Sequence, residues 1–407
     1  MRILHIEKTP RRGGVGSFLN VLTAAQRRRG HEVEVFGCAE GEAPSRQAGG
    51  ADGRRPAFVD FTGAPLWRWP RMVHNPQAAN DLAAFLHARS FDVAHLHNIY
   101  HHLTPSILPV LARRRIPVVM TMHDYRLACP AKHFVSGRGL CTRCVGGRFY
   151  RAASSDCGRL RGAGLAAESY VQAWSRRYAA AVDLFLCPTR YMREVLAQTR
   201  LPAGKLRVVP NPVELDGAHA DAAGDEYDFL FLGRLSREKA PELMLELARS
   251  LPTARVALAG DGPETLPLRR RAGELRLANV TFLGLLDRPA VGRLLSRSAC
   301  LVLTSRCMEN SPQAMLEAMA AGRCVLVPDQ PPLREWVRDG VTGRTYAASD
   351  AVALAAAAAE VASDASWRRR MGERARRMVA GRHAASAVAE AVDEAYDEAR
   401  RRCALRW

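Results

Sequence analysis

Lysine is almost missing from this chain of 407 residues: only Lys8, Lys132, Lys205 and Lys239 stand among 59 basic side chains. The rest are arginine, which with the abundant alanine points to a GC-rich genome. The net charge of +18 is therefore discounted before it argues for nucleic acid, and no recognised nucleic-acid motif accompanies it. No apolar run approaches the roughly 20 residues that span a bilayer. The opening MRILHIEKTPRRGG is interrupted too early for a signal-peptide core, so a cytoplasmic protein is expected. In such a compartment the ten cysteines argue against a disulfide framework. A dinucleotide fingerprint is also missing. Leu19 stands where its last glycine belongs, and VFGC ends the second strand without an acidic residue.

What is present belongs to a globular protein, with 48% hydrophobic and 25% charged residues and more length than one core usually supports. RILHI, VEVFG, VAHLH, PVVMTM, LFLC and LRVVP are strand-like runs with helical stretches between most of them. This is the pattern of a parallel sheet covered on both faces. NPVELDGAHADAAGDE breaks the pattern, and YDFLFLG, RVALAG, NVTFLG, CLVLT and CVLVP then repeat it. The expected organisation is a first domain over 1–215, a linker over 216–226, a second domain over 227–380 and a helical tail over 381–407 that can cross back to the first domain. Residues 39–57 read as a surface loop. From about 350 onward the chain is helical, with no strand left to pair.

Half of the net charge lies between 120 and 215, where 15 basic residues face six acidic ones. Such a concentration suits a surface turned toward an anionic membrane or a phosphorylated lipid.

Several strand ends carry candidate chemistry. Gly13, Gly14 and Gly16 in RRGGVGSFLN let backbone amides approach a phosphate or a sugar. Arg234 and Lys239, five apart in GRLSREK, are placed to grip a diphosphate. In MENSPQAMLEAMAAG, Asn310 or Ser311 is a cap candidate and Pro312 fits a first turn. That puts Glu309 at the helix mouth and Glu317 about two turns inside, on an apolar segment. A carboxylate buried without a partner costs several kcal/mol, so Glu317 needs either a nearby arginine or a polar ligand. His123 ends the strand of TMHDY. His95 and His97 in VAHLHN are expected on opposite sides of their strand, with His97 and Asn98 nearest the cleft. Cys129, Cys141, Cys144 and Cys157 include a Cys-x-x-Cys pair, a spacing that suits tetrahedral zinc pinning a loop; unbound thiols are the alternative.

Taken in order, GRLSREK, AGDGPE, ENSPQAMLEAMAAG and DGVTGRTY resemble the nucleotide-binding half of retaining glycosyltransferases of family 4, whose signature is two glutamates separated by seven residues. GGVGSF, FDVAHLHN, TMHDYRLACP and LRVVPNPVEL resemble the other half, although GGVGSF lacks the most frequent version of its tail. The cysteine-containing insertion resembles that of one subgroup. The resemblance implies an α/β GT-B fold, two doubly wound Rossmann-like domains facing a central cleft. It implies retaining transfer from a nucleotide-diphosphate sugar to a hydroxyl acceptor, a lipid-linked or polysaccharide glycan in bacterial cell-surface polysaccharide synthesis, on the inner face of the plasma membrane. Glu317 would then accept hydrogen bonds from the ribose, while Glu309 and His123 would position the donor sugar. Arg234, Lys239 and the helix start near Ser311 and Pro312 would stabilise the departing diphosphate. Gly14 and Gly16 fall on the donor side, and Gly13, His97 and Asn98 on the acceptor side. No metal is required for that chemistry, and zinc would be structural only. A noncatalytic sugar-nucleotide-binding protein is the alternative, with a basic nucleic-acid-binding protein more distant.

Overall fold

A computed structural model describes residues 1–9, 13–38, 70–137, 139–154, 157, 159–174, 177–215 and 225–406. The surface loop expected over 39–57 lies outside the described residues, as do positions 216–224 of the expected linker. All eleven strands read from the sequence form.

Unit 1 gathers Met1–Lys132, Thr142–Val209 and Val388–Trp407. Its early strands are β1 (Arg2–Ile6), β2 (Glu32–Phe36), β3 (Val93–Leu96) and β4 (Val118–Thr121). A short antiparallel hairpin follows, β5 (Val135–Ser136) and β6 (Gly139–Leu140), which is counted with unit 2. Unit 1 then closes its sheet with β7 (Leu184–Cys187) and β8 (Leu206–Val208). The order is β2-β1-β3-β4-β7-β8, every pair parallel. Each residue of β3, β4 and β7 is buried, as continuous VAHL, VVMT and LFLC runs require of strands covered on both faces.

Unit 2 comprises His133–Cys141 and Pro210–Ala387. Its sheet is built from β9 (Tyr227–Leu232), β10 (Val256–Ala259), β11 (Val280–Gly284), β12 (Ser298–Val302), β13 (Cys324–Pro328) and β14 (Arg344–Tyr346). The order β11-β10-β9-β12-β13-β14 is again parallel throughout. β14 was not expected. Its three residues follow a glycine turn and are too few to display a period, so their strand character comes only from pairing with β13. Helices cover both faces, and Asp287, Asp350 and Asp364 cap three of them by accepting backbone amide hydrogens.

The division between the units falls after Val209 and after Ala387, where the sequence placed it after 215 and 380. The last helix, Ala385–Ala404, carries the chain from unit 2 into unit 1. In both sheets the strand order reverses beside the first strand, and the carboxyl ends of the strands flanking such a reversal are where doubly wound sheets bind ligands. In unit 1 those strands are β1 and β3, and in unit 2 they are β9 and β12.

Candidate functional site

In unit 2 the end of β9 runs into the Gly233–Arg234 turn. The turn after β10 lies so close that a Cβ on Gly260 would sit 1.9 Å from the Gly233 carbonyl oxygen, and one on Gly262 would sit 2.3 Å from that of Leu235. Only glycine allows this approach. Arg234 is exposed on the first of these turns. Lys239 ends the short 3-10 turn Arg237–Lys239, and its carbonyl accepts a hydrogen bond from Thr304, just past β12 (2.6 Å).

The Lys239 side chain meets the loop after β12, where Nζ donates to Glu309 Oε1 at 2.5 Å. Ser305 donates to the same oxygen. Gln330 fixes this loop by accepting from the Glu309 amide (2.9 Å) and donating to the carbonyls of Ser305 (3.2 Å) and Cys307 (2.9 Å). Burial opposes the charge on Lys239, but the Glu309 carboxylate outweighs it and holds the ammonium above its ordinary pKa. The Glu309 side chain is 9% exposed and that of Lys239 33%, so the cation is the member of the pair open to a ligand.

Neither Asn310 nor Ser311 caps the following helix. It spans Gln313–Ala320 with Pro312 in the cap position and no side-chain cap bond. Asn211 Nδ2 donates to the Ser311 carbonyl (3.0 Å) and holds that residue outside the helix. The Ser311 hydroxyl is buried with no hydrogen-bond partner among the described residues, and so are Asn211 Oδ1 and Gln313 Oε1. Three unpaired acceptors at a helix N-terminus are costly unless something fills them. Glu317 lies little more than one turn into the helix, not two. Its side chain is 19% exposed, with Arg288 at 3.9 Å, so both settings weighed from the sequence are present: an arginine at the long limit of an ion pair, and an open edge.

In unit 1 the glycine-rich segment is the first turn of the helix Gly13–Arg28. Gly13 has φ +66°, and a Cβ at Gly13 or Gly14 would meet nothing within 4 Å among the described residues, which leaves this backbone open to approach on their side. Gly16 is buried on the same helix. The histidines differ from expectation. Residues two apart in a strand share a face, so His95 and His97 lie on the same side, their ring centroids 4.4 Å apart. Both are fully enclosed. His97 therefore touches no acceptor directly; its Nδ1 bonds His123 Nε2 at 2.9 Å. His123 is only half-buried, and Phe18 packs edge-on against it. Burial pushes the His123 imidazole down to about 4, so it is neutral at physiological pH.

Sequence reasoning missed His5, Gln26, Thr121 and Tyr396, which extend this chain, and it missed Glu7. Glu7 is buried at the end of β1 and accepts the amide hydrogens of Asn98 (2.7 Å) and Thr9 (3.4 Å). Burial raises its carboxyl to about 7 against those bonds. Its position directly after the first parallel strand was the available signal. Among the described residues, His5, His95 and His97 are the group of potential ligands close enough to share a metal ion. All six of their ring nitrogens, however, already have hydrogen-bond partners. Cys129, Cys144 and Cys157 belong to unit 1 and Cys141 to unit 2. Cys144 and Cys157 share a small apolar cluster with Phe149, Ala152 and Ala166.

Residues 12–216 match the sequence profile of Glycosyltransferase Family 4. The chain belongs to that family. Residues 217–378 of this family 4 chain match the profile of Glycosyl transferases group 1. D-inositol 3-phosphate glycosyltransferase of Mycolicibacterium paratuberculosis is 37% identical over 127 residues, and that of Mycobacterium avium is 36% identical over 133. These matches span 30% and 31% of the chain, and 28% and 31% of the relatives' own lengths. Over nearly the whole chain the fold is that of GT-B proteins. Anabaena HepE, in complex with UDP and glucose, superposes with a TM-score of 0.69 at 17% identity, covering 98% of this chain and 99% of HepE. Sucrose-phosphate synthase from Thermosynechococcus elongatus reaches 0.74 at 19% identity, covering 98% of each.

Proposed function

We propose that the protein transfers a sugar, with retention of anomeric configuration, from a nucleoside diphosphate sugar to a hydroxyl of a lipid-linked or polysaccharide acceptor. The observation that carries this reading is the Lys239–Glu309 pair beside the unpartnered Ser311 hydroxyl at the start of the helix Gln313–Ala320. Lys239, Arg234 and the free amides of that helix stabilise the negative charge that develops on the leaving diphosphate. Glu309 holds Lys239 and the donor sugar in place, and Glu317 accepts from the ribose hydroxyls. The acceptor attacks from the face that the nucleotide leaves, so the reaction needs no protein nucleophile, and Lys239, Arg234 and the helix amides take the place a metal would have on the diphosphate.

HepE has been crystallised with UDP-glucose, which makes UDP-glucose the first donor to try. A panel of nucleotide sugars screened by thermal stabilisation tests the binding step, because a ligand that binds only the folded state raises its apparent stability. A panel without any stabilising member would remove the donor site from the account.

Two further readings accompany this one. Exposed Arg148 flanks Tyr150, which is 57% exposed, with Arg151 beyond it. An aromatic between cations suits reversible docking on anionic lipid near such an acceptor. Part of the local charge excess is already neutralised within the protein, since Arg207 pairs with Glu398, which lies outside residues 120–215. The four thiols Cys129, Cys141, Cys144 and Cys157 are a donor set suited to one structural zinc. Elemental analysis of purified protein reads that directly: about one equivalent supports it, and a metal-free, fully active preparation sinks it.

A further inference from the structure

The carboxyl-terminal end of the unit 1 sheet carries polar side chains where a doubly wound sheet ordinarily carries aliphatic ones. His5 on β1 lies opposite His95 on β3 in the parallel register. His97 follows two residues on, and Thr121 and His123 continue the row at the end of β4. Two helices close over it, Gly13–Arg28 with Gln26 and Ala385–Ala404 with Tyr396. His5, Gln26, His95, His97 and Tyr396 have no solvent exposure at all.

The contacts form one unbranched line. His123 Nε2 meets His97 Nδ1 at 2.9 Å, and His97 Nε2 meets His5 Nδ1 at 2.9 Å. His5 Nε2 meets Gln26 Oε1 at 2.8 Å, and Gln26 Nε2 donates to the Tyr396 hydroxyl at 3.0 Å. From Tyr396 the line continues to His95 Nδ1 and from His95 Nε2 to Thr121 Oγ1, each at 2.7 Å.

A neutral imidazole has one donor and one acceptor, so direction is transmitted from ring to ring. With Gln26 Oε1 turned to His5, the proton of His5 must be on Nε2. His97 must then donate from Nε2 to His5, and His123 from Nε2 to His97. The Nδ1 of His123 is left as a bare acceptor. A half-turn of the Gln26 amide would reverse every bond and place the proton of His123 on Nδ1. A buried group left without a partner costs more than one made hydrogen bond returns, so the line is held complete in one direction or the other and mixed states are disfavoured.

We propose that Gln26, anchored by Tyr396 and acting through His5 and His97, fixes His123 in the Nε2–H tautomer, so that Nδ1 is presented as a hydrogen-bond acceptor to a sugar hydroxyl. Gln26 and Tyr396 are thus positioning residues that touch no substrate. The part played by the sugar hydroxyl rests on the transferase reading above, whereas the tautomer does not. Tyr396 also gives the return of the final helix to unit 1 a chemical purpose, since the hydroxyl it brings pairs the Gln26 amide and joins it to His95.

Nitrogen-15 NMR of protein labelled at histidine tests the assignment, with His123→Gln identifying the resonances of that ring. The parent should show a protonated Nε2 and an unprotonated Nδ1 at His123. In Gln26→Met, which removes both amide contacts at similar volume, and in Tyr396→Phe, which frees the amide to turn, the ring should become a mixture of the two tautomers. If one variant does not fold, the other decides. A proton on Nδ1 in the parent, or an unchanged single tautomer in every folded variant, overturns the proposal. In kinetics, Gln26→Met should lower kcat of sugar transfer about two- to tenfold and do nothing further in a His123→Gln background; fully additive losses would contradict the coupling. Should the parent transfer no sugar from any donor, the transferase reading fails while the spectra still decide the tautomer.

Discussion

The two units use the same sheet architecture and treat polarity in opposite ways at the corresponding strand ends. Unit 2 presents charge: Lys239 is held above its ordinary pKa by Glu309 and remains one-third exposed. Unit 1 encloses neutral groups: its histidines are driven down by burial and joined so that, among the described residues, each ring nitrogen but one in the row from His5 to His123 has a partner. A leaving diphosphate needs a cation at the moment charge develops, whereas orienting a neutral hydroxyl needs only a fixed lone pair. Under the proposed transfer, leaving-group chemistry falls to unit 2 and orientation to unit 1, and each side can be broken separately.

The largest effect should come from the cation. Lys239→Ala removes a charge whose value grows as the donor bond breaks, so kcat should fall about 100-fold or more, with Arg234→Ala in the same direction. Steady-state rates on variants shown to be folded measure this, and parent-like rates for both would detach these residues from the chemistry.

Next in size is the response of unit 1 to acid. Burial pushes His5 and His123 down to about 4 when folded against 6.5 when exposed, and holds His95 and His97 well below 6.5. The unfolded chain binds more protons than the folded one in that window, so stability is lost as pH falls from about 6.5 toward 4, by roughly 1.4 kcal/mol per pH unit for each histidine fully engaged. Glu7, raised to about 7 from 4.5, acts in the other sense, its contribution fading as pH rises between those values. Asp183 is raised by burial as well, but these two carboxyls stand against several histidines, which leaves the acid-side loss dominant. Denaturant midpoints measured from about pH 7 down to about pH 5 should fall steadily; a flat profile would mean that the histidines are not buried neutral.

A smaller effect separates binding from chemistry within unit 2. Glu317→Gln weakens acceptance from the ribose in the ground and transition states alike, so donor KM should rise about 3–10-fold with little change in kcat. A fall in kcat alone would move Glu317 into the chemical step. Smallest is the surface: replacing Arg148 and Arg151 with glutamate should weaken cosedimentation with anionic vesicles at low salt and leave transfer to a soluble acceptor unchanged.

Much of the fold was legible because fully buried parallel strands announce themselves as unbroken apolar runs, as VVMT and LFLC do. β14 was not, because three residues after a glycine turn have no period. Glu309 and Lys239 were legible through their spacing from glycine turns and a helix start, and the rarity of lysine sharpened the second. Ser311 was misread as a cap because Asn211, a hundred residues earlier, holds it outside the helix. The histidine line was the hardest to see. His95 and His97 were visible, but the residues that give them direction, Gln26 and Tyr396, sit on helices where a lone polar residue looks like any half-exposed side chain. Tyr396 meets His95 across 301 positions of sequence.

The anomeric configuration of the product tests the central claim most directly. With an α-linked nucleoside diphosphate sugar as donor, proton NMR of the isolated product should show an α-glycosidic linkage, made without added metal. A β-linked product would contradict the account.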